Sequence, residues 1–193
     1  MNTLIKIIFL FLISNYSFAQ EIIAPGEYDD GLKLAYDSNL HKITGYYESY
    51  TGWDEQTKNP RFSCIFYFEG TVTGTSAKLN TFYPTDKSND LIQGTITLLN
   101  AKSVQIKLSE EHGGCWNVQH FADEPVKFDL QLQTHWIQIR YVEAAKIYFY
   151  NSPNDKEKLS TYIIKGDVVC IEKTEKNWAY CYYFGEKITK GWI

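Results

Sequence analysis

The segment 110–120, Glu-Glu-His-Gly-Gly-Cys-Trp-Asn-Val-Gln-His, holds the residues best suited to covalent chemistry. Cys115 has His112 three residues before it and His120 five after it, and His135 lies further on. A cysteine activated by a histidine is the core of a thiol hydrolase. The surroundings argue against that use. The stretch 115–119, Cys-Trp-Asn-Val-Gln, reads as a strand, whereas a thiolate is favoured at a helix N-terminus or beside a cation. The cysteine count is even: Cys64, Cys115, Cys170 and Cys181. In an exported chain an even count points to disulfides. Two cysteines fall in each half, so Cys64–Cys115 and Cys170–Cys181 is the economical pairing. We therefore assign no catalytic residue. Metal chemistry has no footing either: there is no CxxC, no HExxH and no Asp-rich calcium loop, and no cofactor is expected. Asp29-Asp30, Asp54-Glu55 and Glu110-Glu111 read as solvated turns or strand ends.

These residues would work outside the cytoplasm. Lys6 is the only charge in the first 19 residues, Ile7 to Ile13 is an unbroken apolar run, and Ser17-Phe18-Ala19 fits a small-x-small cleavage site. Residues 1–19 thus read as a cleaved signal peptide, placing the mature chain in the periplasm or outside the cell. The run is much shorter than the roughly 20 residues of a spanning helix, so the protein is not expected to span a membrane. Removing 19 of 193 residues leaves 174, with 18 Lys+Arg against 23 Asp+Glu, a net charge of −5. No basic block exists to suit nucleic acid or anionic lipid.

The composition favours strands: fifteen Tyr, eleven Phe and a single Met. From residue 43 to 132 the chain reads as a β-meander. Phe62, Cys64, Phe66 and Phe68 alternate with Ser63, Ile65, Tyr67 and Glu69, the period-two pattern of a strand with one apolar face. Further strands are expected at 43–50, 70–76, 78–84, 92–100, 103–109, 115–119 and 126–132. Turn chemistry separates them, as at Thr51-Gly52, Asn59-Pro60, Gly113-Gly114 and Glu124-Pro125. About eight short strands in succession predict an all-β, barrel-like domain over residues 20–135, since closure removes exposed edges. The following segment 134–143 has no Gly or Pro, so a close-coupled second domain is expected over 136–193, with Trp136 at the junction.

In that second part, residues 147–154 read Ile-Tyr-Phe-Tyr-Asn-Ser-Pro-Asn. Gly166-Asp167 precedes the alternating Val169 and Ile171, Trp178 follows the hairpin turn 174–177, and Gly191-Trp192-Ile193 closes the chain. In order and spacing this resembles the bacterial SH3 domain (the SH3b family). The resemblance implies a small SH3-like β-barrel that binds and does no chemistry, most often at the cell wall. Thiol hydrolases are often fused to such domains, so the resemblance also admits a thiol-hydrolase role for Cys115. The family's Asn and Arg in the opening strand are Tyr148 and Tyr150 here, and its turn Gly is Ser152. An aromatic set, Tyr148, Tyr150, Tyr162, Trp178, Tyr180 and Tyr182, is the candidate binding surface; part of it could equally fill a small core. The pattern also puts Cys181 in the core while Cys170 faces outward, and a bridge cannot join opposite faces of a hairpin without a bulge.

The expected function is an exported, non-enzymatic binding protein that recognises peptidoglycan or a protein at the cell wall. Two alternatives remain: a periplasmic inhibitor or immunity protein against a wall-degrading enzyme, and a small-ligand carrier using the barrel's interior. The oligomeric state is not legible.

Overall fold

The computed structural model describes residues 23–193; the expected signal peptide lies outside the described residues. The first eight strands are β1 (Gly26–Tyr28), β2 (Leu32–Asp37), β3 (Lys42–Asp54), β4 (Asn59–Thr73), β5 (Ser76–Phe82), β6 (Ile92–Asn100), β7 (Ser103–Leu108) and β8 (Val126–Gln133). They pair antiparallel in sequence order, and β1 pairs β8 to close the barrel. The period-two pattern builds it: Leu32, Leu34, Phe66, Phe68, Ile96, Val104, Ile106 and Phe128 all point inward and are fully buried.

The interior is packed with rings. Phe121 sits 4.9 Å from Tyr47 and 5.1 Å from Phe66, and Tyr47 lies 5.3 Å from Phe66, centroid to centroid. Edge-to-face pairs at such separations are favourable beyond their buried area.

Two expected strands resolve differently. Residues 70–76 split, finishing β4 and opening β5 across a turn at Gly74, whose φ is +63°. Residues 115–117 form a 3-10 turn and not a strand. Its approach needs glycine: Gly114 has φ +89°, and a Cβ there would lie 2.3 Å from the Ser63 carbonyl oxygen.

The remaining strands are β9 (Gln138–Tyr141), β10 (Lys146–Tyr150), β11 (Lys158–Ile164), β12 (Val168–Glu175), β13 (Trp178–Phe184) and β14 (Ile188–Trp192). They form one antiparallel sheet in the order β11-β10-β14-β13-β12-β9. One face curls around its own core of Phe149, Ile163, Val169, Ile171 and Cys181. Part of the other face packs on the outside of the barrel. There Ala35, Tyr67 and Phe82 meet Trp136, Ile139 and Cys170, all buried. The backbone also crosses: the Tyr36 amide donates to the Trp136 carbonyl at 3.2 Å, and the Ile139 amide to Thr44 Oγ1 at 2.7 Å. Among the described residues no helix is long and apolar enough to cross a membrane.

Candidate functional site

Alternation along β10, β11 and β13 sorts the aromatic side chains of the second sheet onto the face opposite its core. Ile147, Phe149, Ile163 and Cys181 point into the core, so Tyr148, Tyr150, Tyr162, Trp178, Tyr180 and Tyr182 share the outer face. They meet as pairs. Tyr148 and Tyr162 lie 5.8 Å apart, Tyr150 and Trp178 4.8 Å, and Tyr180 and Tyr182 5.9 Å.

The sequence reading missed one member, Trp192. It is the cross-strand neighbour of both Tyr150 and Tyr180, with its ring 5.5 Å from that of Tyr180. At 8% exposure it forms the floor on which the others stand. Its period-two relation to Lys190 was the available signal. Tyr182 is drawn toward the barrel: it packs against the interdomain cluster, and its hydroxyl donates to Glu172 at 2.8 Å. The candidate surface is therefore Tyr148, Tyr150, Tyr162, Trp178 and Tyr180 over Trp192.

Lysines rim this surface. Lys158 Nζ stands 3.6 Å from the Tyr148 ring centroid and Lys146 Nζ 3.8 Å from that of Tyr162. Lys173 Nζ lies 5.3 Å from Tyr180 and 5.2 Å from Trp192. Ring quadrupoles attract cations at these distances, by roughly 0.5–1 kcal/mol at exposed sites. The arrangement offers flat, rigid apolar area edged with positive charge and N–H donors.

The cysteine–histidine cluster is arranged for structure. Cys64 and Cys115 form a disulfide, so the Cys115 sulfur is already bonded. His112 turns away from it: Nε2 lies 2.7 Å from Thr81 Oγ1, and Nδ1 lies 2.8 Å from Asp90 Oδ2. The order Thr–His–Asp matches a nucleophile relay, but Thr81 is fully buried and His112 is 1% exposed, so the hydroxyl is closed to solvent. Burial lowers the His112 pKa below its ordinary value, outweighing the pull of Asp90. Asp90 Oδ2 also accepts the Tyr83 amide at 2.6 Å, and Glu111 accepts the Ala122 amide at 2.6 Å. Together these contacts pin the 109–125 loop to the barrel end. His120 sits apart and exposed, paired with Asp123 at 3.3 Å. Among the described residues no group of three or more His, Cys, Asp or Glu could hold a metal.

Cys170 and Cys181 do not pair; both are free and buried. In the register Cys170 faces Tyr182 and Ile171 faces Cys181, so the two thiols lie on opposite faces. Cys170 enters the interdomain cluster and Cys181 the core of the second sheet. Burial raises both pKa values, that of Cys181 to about 12. Neither is a thiolate at neutral pH, and the thiolate is the reactive form. Folded protein should therefore resist alkylation by iodoacetamide, while unreduced protein unfolded in guanidinium should take up two labels. Rapid labelling of the folded chain would contradict the packing described.

Compared with protein-family models, curated proteins and solved structures, the chain shows no match.

Proposed function

We propose that the chain is an exported, non-enzymatic binding protein that recognises peptidoglycan or a protein at the cell wall through the aromatic face of its second sheet. One observation carries the reading. Five aromatic side chains stand on one side of a sheet whose core lies on the other, Tyr162 exposed and the other four partly exposed, and three lysines edge them. Tyr and Trp supply much contact area at low entropic cost while keeping a polar handle, and with Arg they dominate binding hot spots. The resemblance to bacterial SH3 domains points the same way, toward a wall peptide or protein.

Trp178 is the test residue, because it lies on this face against Tyr150 and outside the core cluster. Trp178→Ala should weaken binding to purified peptidoglycan about thirtyfold, the effect of losing one central hot spot. Its melting temperature should fall only modestly. Unchanged affinity in a folded variant, or a collapsed melting temperature, would remove Trp178 from the site.

A second surface favours the inhibitor reading. β2 pairs β3 only as far as Tyr47, and β5 pairs β4 only from Tyr67. Between these points the β3–β4 hairpin continues as two strands alone, to Asp54 and Asn59. It carries Tyr50, Trp53 and Phe62, exposed by 41–59%, with Trp116 beside it at 59%. Tight, saturable binding to a wall hydrolase with none to peptidoglycan would decide for that role. The carrier reading needs a hollow barrel, and this one is filled by Tyr47, Phe66, Phe68, Phe121 and Phe128.

A further inference from the structure

We propose that the cleft between the barrel and the second sheet binds a small organic carboxylate with an apolar tail. The cleft measures about 520 Å³, within the roughly 300–1,000 Å³ of small-molecule sites. It is a different place from the aromatic face. Its apolar wall is the other side of the second sheet, where Val142, Ile147, Ile171 and Ile193 reach its surface. Its polar wall comes from β4, β9 and the loops after β5 and β9: Tyr67, Glu69, Lys87, Arg140 and Glu143. One wall suits a hydrocarbon and the other a charged head.

The hydroxyl of Tyr67 points to what that head is. Tyr67 is 1% exposed, and among the described residues its buried oxygen has no hydrogen-bond partner. Buried polar groups are nearly always paired, because an unpaired one loses its water and gains nothing. The oxygen senses the charges of Glu69 and Arg140 and the side chain of Tyr141, all of which line the cleft. It therefore sits at the polar end. A hydroxyl there is a donor waiting for an acceptor.

The charges choose the acceptor. Lys87 Nζ binds Glu69 at 2.6 Å and neutralises it. Glu143 accepts the Tyr141 hydroxyl at 3.2 Å. Arg140 is exposed and, among the described residues, forms no salt bridge; its Nε donates to Gln138 at 3.1 Å. Its terminal nitrogens form a planar fork that fits a carboxylate. A carboxylate seated on Arg140 can also accept from Tyr67, satisfying both. Tyr67 lines the cleft but its hydroxyl is buried, so the side chains around it shift as the ligand enters.

Isothermal titration with octanoate tests this, with octylamine and acetate as controls. Octanoate should bind saturably, octylamine should not, and acetate should bind much more weakly. Tyr67→Phe and Arg140→Gln should each weaken octanoate binding about tenfold or more, the usual effect of losing a hydrogen bond to a charged group. Tyr67→Phe should leave the melting temperature unchanged or raise it, because it deletes an unpaired buried oxygen. A hydroxyl with a purely structural partner would give the reverse, a lower melting temperature. No saturable octanoate binding, equal binding of octylamine, or full affinity in Arg140→Gln overturns the proposal. Arg140 is exposed, so that last variant keeps the question answerable even if a change at Tyr67 disturbs packing.

Discussion

Replacing Cys64 and Cys115 together by alanine should lower the stability of the protein by about 4 kcal/mol. The bond closes a loop of 51 residues, and the chain-entropy model assigns roughly that much to its loss. For a chain of this length the melting temperature should fall by about 8–16 °C. The effect should be local as well as global. Among the described residues the outer part of the β3–β4 hairpin has no other strand beside it, and a two-stranded hairpin alone is marginal in water. It is held by the disulfide and by the Thr51 hydroxyl donating to the Asn117 carbonyl at 2.7 Å. Without the disulfide, amides of residues 49–63 should exchange far faster than those of β6 and β7. A change below about 1 kcal/mol, with exchange unaltered, would mean the His112 contacts and barrel packing hold the loop unaided. Gly114→Ala should act in the same direction, because the added carbon meets the Ser63 carbonyl on the strand that carries Cys64.

Much of this architecture is legible in residue patterns, and the exceptions have physical causes. β4 announces itself through Cys64, Phe66 and Phe68 at period two. Tyr67 breaks the expected polar alternation, and the structure shows why: the outer face of β4 is buried under the second sheet. β1 and β2 escaped notice because β1 is three residues long and an Asp29–Gly31 turn follows at once, with Asp30 at φ 51° and Gly31 at φ +86°. Asp29 in that turn is more than a solvated acid. Its carboxylate accepts the Asp129 amide at 2.8 Å across the seam that closes the barrel. The opposite error occurred at 115–119, where strand-forming residue types are overruled by Gly114 and the disulfide. The count of eight strands survives because two missed strands balance one misread segment and one split one.

The candidate surface was legible to the same degree and for the same reason. Alternation puts Trp178, Tyr180 and Tyr182 on one face of their strand, and the resemblance joined Tyr148, Tyr150 and Tyr162 to them. Alternation is silent on what lies against a face, so Tyr182 was counted with the rest although the barrel covers part of its surroundings. Alternation turned Cys170 outward and the resemblance placed Cys181 in the core, an objection to their pairing that the register upholds. The Thr81–His112–Asp90 contacts were invisible, because they join positions 22 and 31 residues apart through a loop whose path no local pattern dictates.

Trp136→Ala should be as costly as the lost disulfide, for a different reason. Trp136 is 4% exposed at the junction, with the Phe184 ring 5.6 Å from its own. Truncating a buried Trp typically costs about 3–5 kcal/mol, from lost transfer energy and the cavity left behind. The cavity would open between two hydrophobic cores, each retaining its own packing. The variant should therefore change the character of unfolding as well as its midpoint. Wild-type protein should unfold in one transition, because Trp136, Ile139 and Cys170 tie the second sheet to Ala35, Tyr67 and Phe82. In Trp136→Ala the sheet should melt first and the disulfide-closed barrel later, giving two calorimetric peaks. Iodoacetamide gives an independent readout, since Cys170 sits in the weakened cluster and should label between the two transitions. A single transition shifted by less than about 1 kcal/mol, with Cys170 still protected, would show that the backbone bonds at Tyr36 and Ile139 couple the two parts without the indole.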